Sequence, residues 1–366
     1  MGNTVAVVGG GYGGSSVAQA LDPVAEVVLI DPREAFVNVA ASLRALTRPA
    51  WAPNAFFAFD HLLTRGRVVR DAAVGLDTRG VVLEGGGRVD ADYVVLATGS
   101  TYAYPARPRP GRRTSAGALA DLQATHDELA LATRVLVLGA GPVGLELAGE
   151  IRDVWPDKGI VVVGRGAELL PGYLPEIRED LRRQLVALDI ELRLGTRLVA
   201  LPTTPDGRFG AFVVATDTGE ELGADLWFTS FGSQVNTGWL RGSPAVTLTD
   251  DGRVPVDEHL RVLGQDRVYA LGDITDLPDP KMATWAQTQA PVVIENITCQ
   301  LEGRAPDTMH APASGLRILL PLGTRGGVGQ LPGPTGPPAP APLQTVIDRK
   351  GADLFTARFA DRFRRL

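Results

Sequence analysis

The chain has 366 residues, of which 45% are hydrophobic and 21% are charged, the balance of a globular protein that buries a sizeable core. Its formal net charge of −6 argues against a nucleic-acid-binding protein, because such proteins usually present a basic face. The single cysteine, Cys299, excludes an intramolecular disulfide, a Cys-x-x-Cys redox pair and a cysteine-based zinc site. The four histidines have no metal-ligand spacing, so no metal site is predicted.

The amino terminus does not have the pattern of a targeting segment. Residues 3–8 are apolar, but glycines follow at once and no basic stretch precedes them. Elsewhere no run approaches the ~18 consecutive apolar residues that a membrane-spanning helix requires. We therefore expect a cytoplasmic protein.

The first glycine motif follows a β-branched run at residues 5–8. It is followed by a helix-compatible stretch and by a second strand, 26–30, that ends in Asp31. Glycines in the pattern Gly-x-Gly-x-x-Gly let the backbone approach a pyrophosphate at a helix N-terminus, and an acid about 20 residues on accepts ribose hydroxyls. The alternative is a glycine-rich turn in another α/β protein. The predicted cofactor-binding residues here are Gly9, Gly10, Gly11, Tyr12, Gly13, Gly14 and Asp31.

The second glycine motif consists of Gly139, Gly141 and Gly144, after a predicted strand at 131–138. The strand after it, 160–163, is followed by Gly164 and Arg165 rather than by an acid. Without an acid a 2′-phosphate is not repelled, and a guanidinium can bind it through two hydrogen bonds. Arg165 therefore favours NADPH over NADH as the electron donor, unless it is a solvated loop arginine. The helices predicted nearby are Pro142–Val154 and Pro175–Leu188.

Three further motifs resemble those of flavoproteins that bind two dinucleotides. Thr98 and Gly99 end a run that resembles the strand closing the flavin domain, and 227–232 resembles its counterpart in the nicotinamide domain. Gly272 and Asp273 resemble the Gly-Asp motif whose carboxylate accepts hydrogen bonds from the flavin ribityl hydroxyls. The set implies an α/β fold with two Rossmann-type domains, for FAD and NAD(P)H, plus a small C-terminal unit.

Four more segments extend the resemblance over essentially the whole chain, namely 38–44, 278–283, 326–330 and 349–355. With them the chain resembles the FAD-dependent pyridine nucleotide oxidoreductases of the ferroptosis suppressor and apoptosis-inducing-factor-homologous subgroup, which is similar to type II NADH dehydrogenases. The resemblance implies reduction of a quinone or another small acceptor. It also implies that Arg44 meets the FAD phosphates or ribose and that the Ala73 backbone meets adenine. The lipidation signal of animal members is not found in this sequence.

The order of the motifs predicts a discontinuous flavin domain, because the Gly-Asp motif lies beyond the second glycine motif. The predicted units are an FAD-binding domain at 1–109 and 236–310, an NAD(P)H-binding domain at 110–235 and a small C-terminal domain at 311–366. The proline-rich connection 331–342 is predicted to be a loop or a semi-rigid linker.

Two charged residues are predicted to take part in the chemistry. Asp279, Pro280 and Lys281 have the form of a helix start, and in the resembling family this helix directs its N-terminus at the flavin. Lys281 would stabilise charge on the reduced flavin or bind the acceptor. Glu146 stands where related flavoproteins place a glutamate against the nicotinamide. The alternatives are a surface lysine in a first helical turn and an exposed helical glutamate.

The leading hypothesis is an FAD-dependent NAD(P)H oxidoreductase that reduces a quinone or a quinone-like small molecule. Two alternatives remain open. One is a reductase of an iron–sulfur electron carrier, and the other is a redox-sensing flavoprotein that does not turn over and signals by dimerisation, as apoptosis-inducing factor does. A homodimer is compatible with the sequence. Disulfide reductase activity is not expected, because the chain has no cysteine pair.

The last segment, 353–366, has the pattern of an amphipathic basic helix. Such a helix is typical of a segment that lies in a membrane interface, so we expect weak peripheral contact with the inner membrane face, where a lipid-soluble quinone would be found. The alternative is that the phenylalanines pack on the protein's own core or on a dimer mate. The apolar residues are Phe355, Phe359, Phe363 and Leu366, and the basic ones are Arg358, Arg362, Arg364 and Arg365.

Overall fold

The computed structural model describes residues 3–332 and 336–364, which form a mixed α/β structure. The helices are α1 Tyr12–Leu21, α2 Ser42–Thr47, α3 Ser115–Leu131, α4 Pro142–Val154, α5 Pro175–Ala187, α6 Ala283–Leu301, α7 Leu343–Val346 and α8 Thr356–Arg364. The strands are β1 Thr4–Val8, β2 Glu26–Ile30, β3 Ala35–Val37, β4 Phe56–Ala58, β5 Arg67–Val69, β6 Ala73–Asp77, β7 Gly80–Leu83, β8 Arg88–Asp90, β9 Tyr93–Leu96, β10 Ser100–Tyr102, β11 Arg134–Leu138, β12 Gly159–Gly164, β13 Ile190–Leu194, β14 Phe212–Ala215, β15 Glu221–Ala224, β16 Leu226–Thr229, β17 Ser233–Val235, β18 Val268–Ala270, β19 Ile318–Leu322, β20 Gly326–Pro332 and β21 Pro338–Pro340.

Five parallel strands form the first sheet, in the order β18-β9-β1-β2-β5. The central strands are runs of valine, leucine and isoleucine whose side chains are buried, because a parallel sheet is covered on both faces. Helices α1 and α6 pack against each other and share a hydrophobic core with these strands. Since the strands all run in one direction, the loops that follow them lie at one edge of the sheet.

Four parallel strands form the second sheet, in the order β13-β12-β11-β16. Helix α4 has the predicted bounds, and α5 ends one residue earlier than predicted, at Ala187. The strand predicted at 131–138 begins only at Arg134, because α3 continues to Leu131. This sheet thus repeats the strand–glycine loop–helix arrangement of the first.

The carboxyl-terminal part of the chain forms a third, antiparallel sheet, β19-β20-β21. The prediction of a loop or linker at 331–342 is wrong for residues 331–332 and 338–340, because Pro338–Pro340 pairs with the end of β20, whereas residues 336–337 and 341–342 lie outside the strands. Proline is tolerated there since β21 is an edge strand. Residues 333–335 of that prediction lie outside the described residues. The smaller elements are the antiparallel sheet β6-β7-β8 and the pairs β3-β4, β10-β17 and β14-β15.

The third sheet packs against α4, the helix of the second glycine motif. Gly149 on α4 is needed for this approach, since a Cβ there would lie 2.7 Å from the Cα of Leu322 on β19. A π-helical turn, Ile347–Gly351, then leads the chain toward α8, which packs on the aromatic side chains beside the first sheet. The carboxyl-terminal residues therefore contact both glycine-motif units. Within the described residues, no helix is long and apolar enough to span a membrane.

Candidate functional site

Four predicted motifs meet at the carboxyl edge of the first sheet. The first glycine loop follows β1, Asp31 follows β2, Thr98 and Gly99 follow β9, and Gly272 with Asp273 follows β18. Because β18, β9, β1 and β2 are adjacent and parallel, these motifs lie side by side. Residues that are up to 264 positions apart in the sequence thus line one edge.

The first glycine loop joins β1 to α1 through a tight turn. A Cβ at Gly14 would overlap the carbonyl oxygen of Gly9, so only glycine lets the helix start so close to the strand. Gly11, the N-cap of α1, has no described atom within 4 Å of the place where a Cβ would stand. The loop therefore leaves space at the positive end of a ten-residue helix, which fits an anionic pyrophosphate.

The Asp31 carboxylate is buried and accepts four hydrogen bonds. Gly10 donates its backbone N–H at 2.8 Å, and Arg33 donates its backbone N–H, its Nε and its Nη2 at 2.9 Å each. Burial would raise the pKa of Asp31, but the Arg33 guanidinium and the N–H donors outweigh it and hold the pKa below its usual range. These donors use about four lone-pair sites, the number that a carboxylate has. A ribose hydroxyl that binds Asp31 would therefore compete with one of these four donors.

Tyr12 connects the glycine loop to the carboxyl-terminal part of the chain. Its hydroxyl donates to Asn38 Oδ1 at 2.9 Å, and Asn38 Nδ2 donates to the carbonyl of Leu354 at 2.8 Å. Burial raises the pKa of Tyr12 to about 12, so the hydroxyl remains protonated. Its neighbour Gly13 faces Leu271, which lies next to the Gly-Asp motif.

Polar contacts hold the Gly-Asp motif and the neighbouring Thr98 and Gly99 in place. Ser100 Oγ donates to Asp273 Oδ2, and Gly272 N donates to Gln289 Oε1 at 2.7 Å. Thr98 Oγ1 donates to the carbonyl of Asn236 at 2.7 Å, which fixes the crossover beside Gly99. The Asp273 carboxylate is only half-buried and keeps lone pairs for hydroxyl donors, as the ribityl prediction requires.

Arg107 is a residue of this site that the sequence analysis did not identify. Its Nε is buried and has no hydrogen-bond partner among the described residues. Burial lowers the pKa of Arg107, as does Arg33, while Tyr12 and Asp273 act in the opposite direction. A cation between the glycine loop and the Gly-Asp motif, with a donor still unused, fits a pyrophosphate. The sequence signal was weak, since Arg107 stands in a proline-rich stretch that marks the crossover.

The second glycine loop repeats the geometry of the first. A Cβ at Gly144 would overlap the carbonyl oxygen of Gly139, and Ser230 at the end of β16 packs against both. The site of a Cβ on Gly141, the N-cap of α4, again has no described atom within 4 Å. The space before this thirteen-residue helix fits a second pyrophosphate.

Arg165 directly follows the last residue of β12 and is exposed. Its side chain has no hydrogen bond or ion pair with any other described residue. It lies at the carboxyl edge of the second sheet, one strand away from the second glycine loop. Both the 2′-phosphate hypothesis and the solvated-loop alternative therefore stay open.

Glu146 is buried rather than exposed, which contradicts the surface alternative. It lies on α4, is 9% exposed, and accepts a hydrogen bond from Lys350 Nζ at 2.7 Å. Burial raises the pKa of Glu146, and the Lys350 ammonium opposes this only in part. Lys350 also donates to the carbonyl of Leu319 at 3.1 Å. The sequence analysis missed Lys350, whose only signal was its place in the segment 349–355.

Arg44, which the family resemblance implied to meet the FAD phosphates or ribose, has its guanidinium hydrogen-bonded within the chain. It is 2% exposed and forms an ion pair with Glu150 on α4, because α2 packs directly on α4. The contact of Arg44 with FAD stays a prediction. Ala73 starts β6 and pairs with Leu83 in the antiparallel sheet β6-β7-β8. The adenine contact of the Ala73 backbone stays a prediction.

The helix predicted to begin at Pro280, with Asp279 as its N-cap, begins three residues later, at Ala283, with Met282 as its N-cap. Asp279 is no N-cap, because it is buried and accepts hydrogen bonds from Gln289, His310 and the backbone N–H of Ala313. Lys281 is half-buried, and its Nζ donates to the carbonyls of Thr275 at 2.9 Å and Leu277 at 2.8 Å. Burial lowers the pKa of Lys281, and Arg253 adds to the effect. One of its three N–H donors remains for a ligand.

The aromatic face of α8 packs on the protein's own core. Phe359 and Phe363 are 2% and 3% exposed and contact Phe36 at ring-centroid distances of 4.8 and 4.9 Å. This is the alternative that the sequence left open, and it makes these rings unavailable to a lipid interface. Arg362 donates to Ser16 Oγ at 3.0 Å. The side chain of Arg364, and all of Arg365 and Leu366, lie outside the described residues.

Comparison with known proteins gives the same assignment as the geometry. Residues 3–290 match the family model described as pyridine nucleotide-disulphide oxidoreductase. Ferroptosis suppressor protein 1 of Homo sapiens is 30% identical over 338 residues, covering 90% of this chain and 88% of the relative. Apoptosis-inducing factor homolog B of Dictyostelium discoideum is 26% identical, with 89% of each chain covered. The sulfide:quinone oxidoreductase of Aquifex aeolicus shares the fold, with a TM-score of 0.77, 16% identity and coverage of 99% and 91%.

The residues at the two carboxyl edges fit the cofactors of this family, FAD and NAD(P)H. Each of the two glycine loops leaves space before a helix N-terminus, and Arg107 supplies an unused buried donor at the first of them. The fold, the two cofactor sites and the similarity over nine-tenths of the chain all indicate the same family. The chain therefore belongs to the pyridine nucleotide-disulphide oxidoreductase family, within the subgroup of ferroptosis suppressor and apoptosis-inducing-factor homologues, and is an NAD(P)H-dependent flavin oxidoreductase.

Proposed function

We propose that the protein takes a hydride from NAD(P)H and passes the electrons to a quinone or a quinone-like small molecule. The observation that carries this proposal is that the chain has no internal acceptor of its own. Its one cysteine, Cys299, is buried in α6, where its Sγ lies 3.7 Å from Asp307 Oδ1. Without a cysteine pair no redox-active disulfide forms within the chain, so the electrons must leave to a molecule from outside.

Two observations support a quinone over an iron–sulfur carrier. The resemblance to the ferroptosis suppressor group extends over nine-tenths of the chain, and a solved protein of the same fold is named for a quinone. A carrier protein would in addition need a charged docking face of the complementary sign, and the net charge of −6 offers no general basic surface. A small neutral acceptor needs no such face.

The residues at the first sheet edge would hold FAD, which supplies the hydride-accepting and electron-releasing chemistry when bound. The N-terminus of α1 and the Arg107 guanidinium would neutralise the pyrophosphate. Asp273 would accept hydrogen bonds from the ribityl hydroxyls, with Ser100 keeping the carboxylate in place. Lys281 would direct its third N–H at the flavin or at the acceptor.

The Glu146–Lys350 pair would orient the nicotinamide. Glu146 lies on the helix that starts at the second glycine loop, so its carboxylate can accept hydrogen bonds from the carboxamide or ribose of a nucleotide bound there. The ammonium of Lys350 opposes, in part, the rise in the pKa of this carboxyl group that burial causes. The pair thus places a fixed acceptor at the junction of α4 and the third sheet.

Turnover measurements test the proposed function directly. We expect NADH or NADPH to bleach the flavin absorbance in a stopped-flow experiment, and a quinone to restore it much faster than oxygen does. Steady NAD(P)H oxidation should then rise with added quinone. Re-oxidation by a ferredoxin but not by quinones would instead assign an iron–sulfur carrier reductase. A long-lived reduced complex that neither acceptor re-oxidises would assign a redox sensor.

Replacing Arg165 by alanine is expected to remove a preference for NADPH. If the guanidinium binds the 2′-phosphate, its loss should weaken NADPH binding roughly 10-fold, the effect of about 1.5 kcal/mol from a charge-assisted hydrogen bond. The apparent dissociation constants of NADPH and NADH for flavin reduction measure this. Arg182→Ala removes an exposed arginine from α5 and serves as the control. An unchanged ratio of the two constants in Arg165→Ala would identify Arg165 as a solvated loop residue.

A further inference from the structure

Arg44 joins three parts of the chain through one buried guanidinium. The residue lies on α2, and its Nε and Nη2 donate to Glu150 Oε1 on α4 at 3.1 and 2.8 Å. Its Nη2 also donates to the carbonyl of Gly351 at 2.7 Å, and its Nη1 donates to the carbonyl of Ala352 at 2.9 Å. One side chain therefore ties α2 and α4 to the two residues that directly follow Lys350.

The position of this contact along α4 places it beside the Glu146–Lys350 pair. Glu146 and Glu150 are four residues apart on one helix, so they lie on the same face, one turn from each other. Glu150 holds Arg44, and Arg44 holds the backbone at 351 and 352. Lys350, which precedes those carbonyls, is thereby brought to within 2.7 Å of the Glu146 carboxylate.

The chemistry of the guanidinium suits such a bridge. Arginine presents several N–H donors in a rigid plane, whereas lysine presents a point charge on a flexible stem. Stability alone does not explain a buried ion pair at this place, because apolar residues of similar volume often stabilise as well. The Gly351 end of the π-helical turn also needs fixing, since such single turns are short interruptions of regular helix. Holding α4 and the 351–352 backbone together is therefore a geometric reason for a buried guanidinium at position 44.

We propose that Arg44 is a positioning residue for flavin reduction, acting through Lys350 rather than by contact with FAD. The proposal rests on the proposed function, because it requires that the Glu146–Lys350 pair serve the hydride transfer. The Arg44 guanidinium already donates hydrogen bonds to Glu150 and to the backbone carbonyls of residues 351 and 352. Binding FAD phosphates would require Arg44 to leave them.

The test compares Arg44→Met with Arg48→Met in the full-length holoenzyme. Arg48 pairs with Glu150 and Asp153 in the same network but forms no hydrogen bond with the 351–352 backbone, so it is the matched control. In Arg44→Met, Glu150 keeps Arg48 at 2.7 Å and is not left unpaired. We expect the rate of flavin reduction by NADH to fall roughly 10-fold in Arg44→Met, as for a small misplacement of a positioned group, and to stay unchanged in Arg48→Met.

A double-mutant cycle distinguishes action through Lys350 from a separate effect. If Arg44 works by placing Lys350, then adding Lys350→Met to Arg44→Met should slow flavin reduction no further than Lys350→Met alone does. Bound FAD should remain stoichiometric in Arg44→Met. Arg44→Lys, which keeps the charge but not the planar set of donors, should restore little of the rate.

Three outcomes would overturn the proposal. Loss of FAD from folded Arg44→Met, with recovery in Arg44→Lys, would show direct binding of the phosphates through charge. Fully additive effects of Arg44→Met and Lys350→Met would show that the two residues act separately. If Lys350→Met itself reduces its flavin as fast as the unsubstituted protein, the proposed role of the Glu146–Lys350 pair is overturned, and the positioning role of Arg44 with it. If Arg44→Met does not fold, Arg44→Met combined with Glu150→Gln replaces it, because neither member of the buried pair then remains charged.

Discussion

Replacing Lys350 by methionine is expected to slow flavin reduction by NADH roughly 100-fold and to lower the free energy of unfolding by about 3–5 kcal/mol. Methionine keeps the length of the side chain but removes the charge. The buried carboxylate of Glu146 then loses the ammonium that lies 2.7 Å away, and breaking one side of a buried ion pair leaves an uncompensated charge. Stopped-flow flavin bleaching and urea unfolding measure the two effects.

The loss of stability in Lys350→Met should depend on pH in a definite direction. Burial raises the pKa of Glu146, so folding favours its protonated form. The contribution of such a carboxyl to stability is full below its unfolded pKa and is lost as pH rises through its folded pKa. Without Lys350 the folded pKa rises further, because the ammonium was lowering it. The variant should therefore lose less stability near about pH 5 than near about pH 8.

Two control variants separate the ion pair from a general effect of removing a lysine. Lys158 is also buried, but it lies just before β12, at the opposite end of the second sheet from the glycine loop. Lys158→Met should leave the rate of flavin reduction unchanged. Combining Lys350→Met with Glu146→Gln should recover stability but not the rate, since both charges are then absent. An unchanged rate of flavin reduction in Lys350→Met would contradict the role proposed for the Glu146–Lys350 pair.

The motifs that the sequence predicted well are those whose structure depends only on residues nearby in the chain. A glycine loop depends on the strand before it and the helix after it, so about 30 adjacent residues contain the whole pattern. Helix α4 accordingly has its predicted bounds, Pro142–Val154. The cofactors and the family follow from the same local motifs. The domain boundaries and the roles of the individual site residues stay predictions.

The contacts that sequence did not predict join residues far apart in the chain. Lys350 meets Glu146 across 204 positions, and Arg44 meets Gly351 across 307. No local pattern encodes such pairs, because they depend on how the third sheet packs on α4. The predicted start of α6 was wrong for a related reason. Asp279 has the residue type of an N-cap, but the tertiary contacts with Gln289 and His310 use its carboxylate.

Replacing Phe359 by alanine is expected to lower the free energy of unfolding by about 3–5 kcal/mol, the usual cost of emptying a buried aromatic site. The ring is 2% exposed, and its centroid lies 4.8 Å from that of Phe36, 5.5 Å from that of Tyr12 and 6.2 Å from that of Phe57. Urea unfolding measures the loss. Arg358→Ala, which truncates an exposed side chain one residue earlier on α8, should change stability little.

The same variant decides between the two hypotheses for the segment 353–366. A helix that lies in a membrane interface needs its phenylalanines exposed, and it binds anionic vesicles in a salt-sensitive way. The full-length protein should therefore not float with such vesicles, since Phe359 is buried. Flotation that Phe359→Ala abolishes, in a protein of unchanged stability, would restore the membrane hypothesis.

The position of α8 also predicts a consequence at the flavin site. Phe359 packs on Tyr12, which belongs to the first glycine loop, and the Tyr12 hydroxyl is bound through Asn38 to the carbonyl of Leu354. Arg362 donates to Ser16 and Gln19 on α1, and burial lowers its pKa only to about 10, so it stays charged at neutral pH. Loosening α8 removes support from the helix that faces the pyrophosphate. Phe359→Ala should therefore lose FAD more readily than Arg358→Ala does, and equal retention of FAD in both variants would show that α8 stabilises the fold without supporting the cofactor loop.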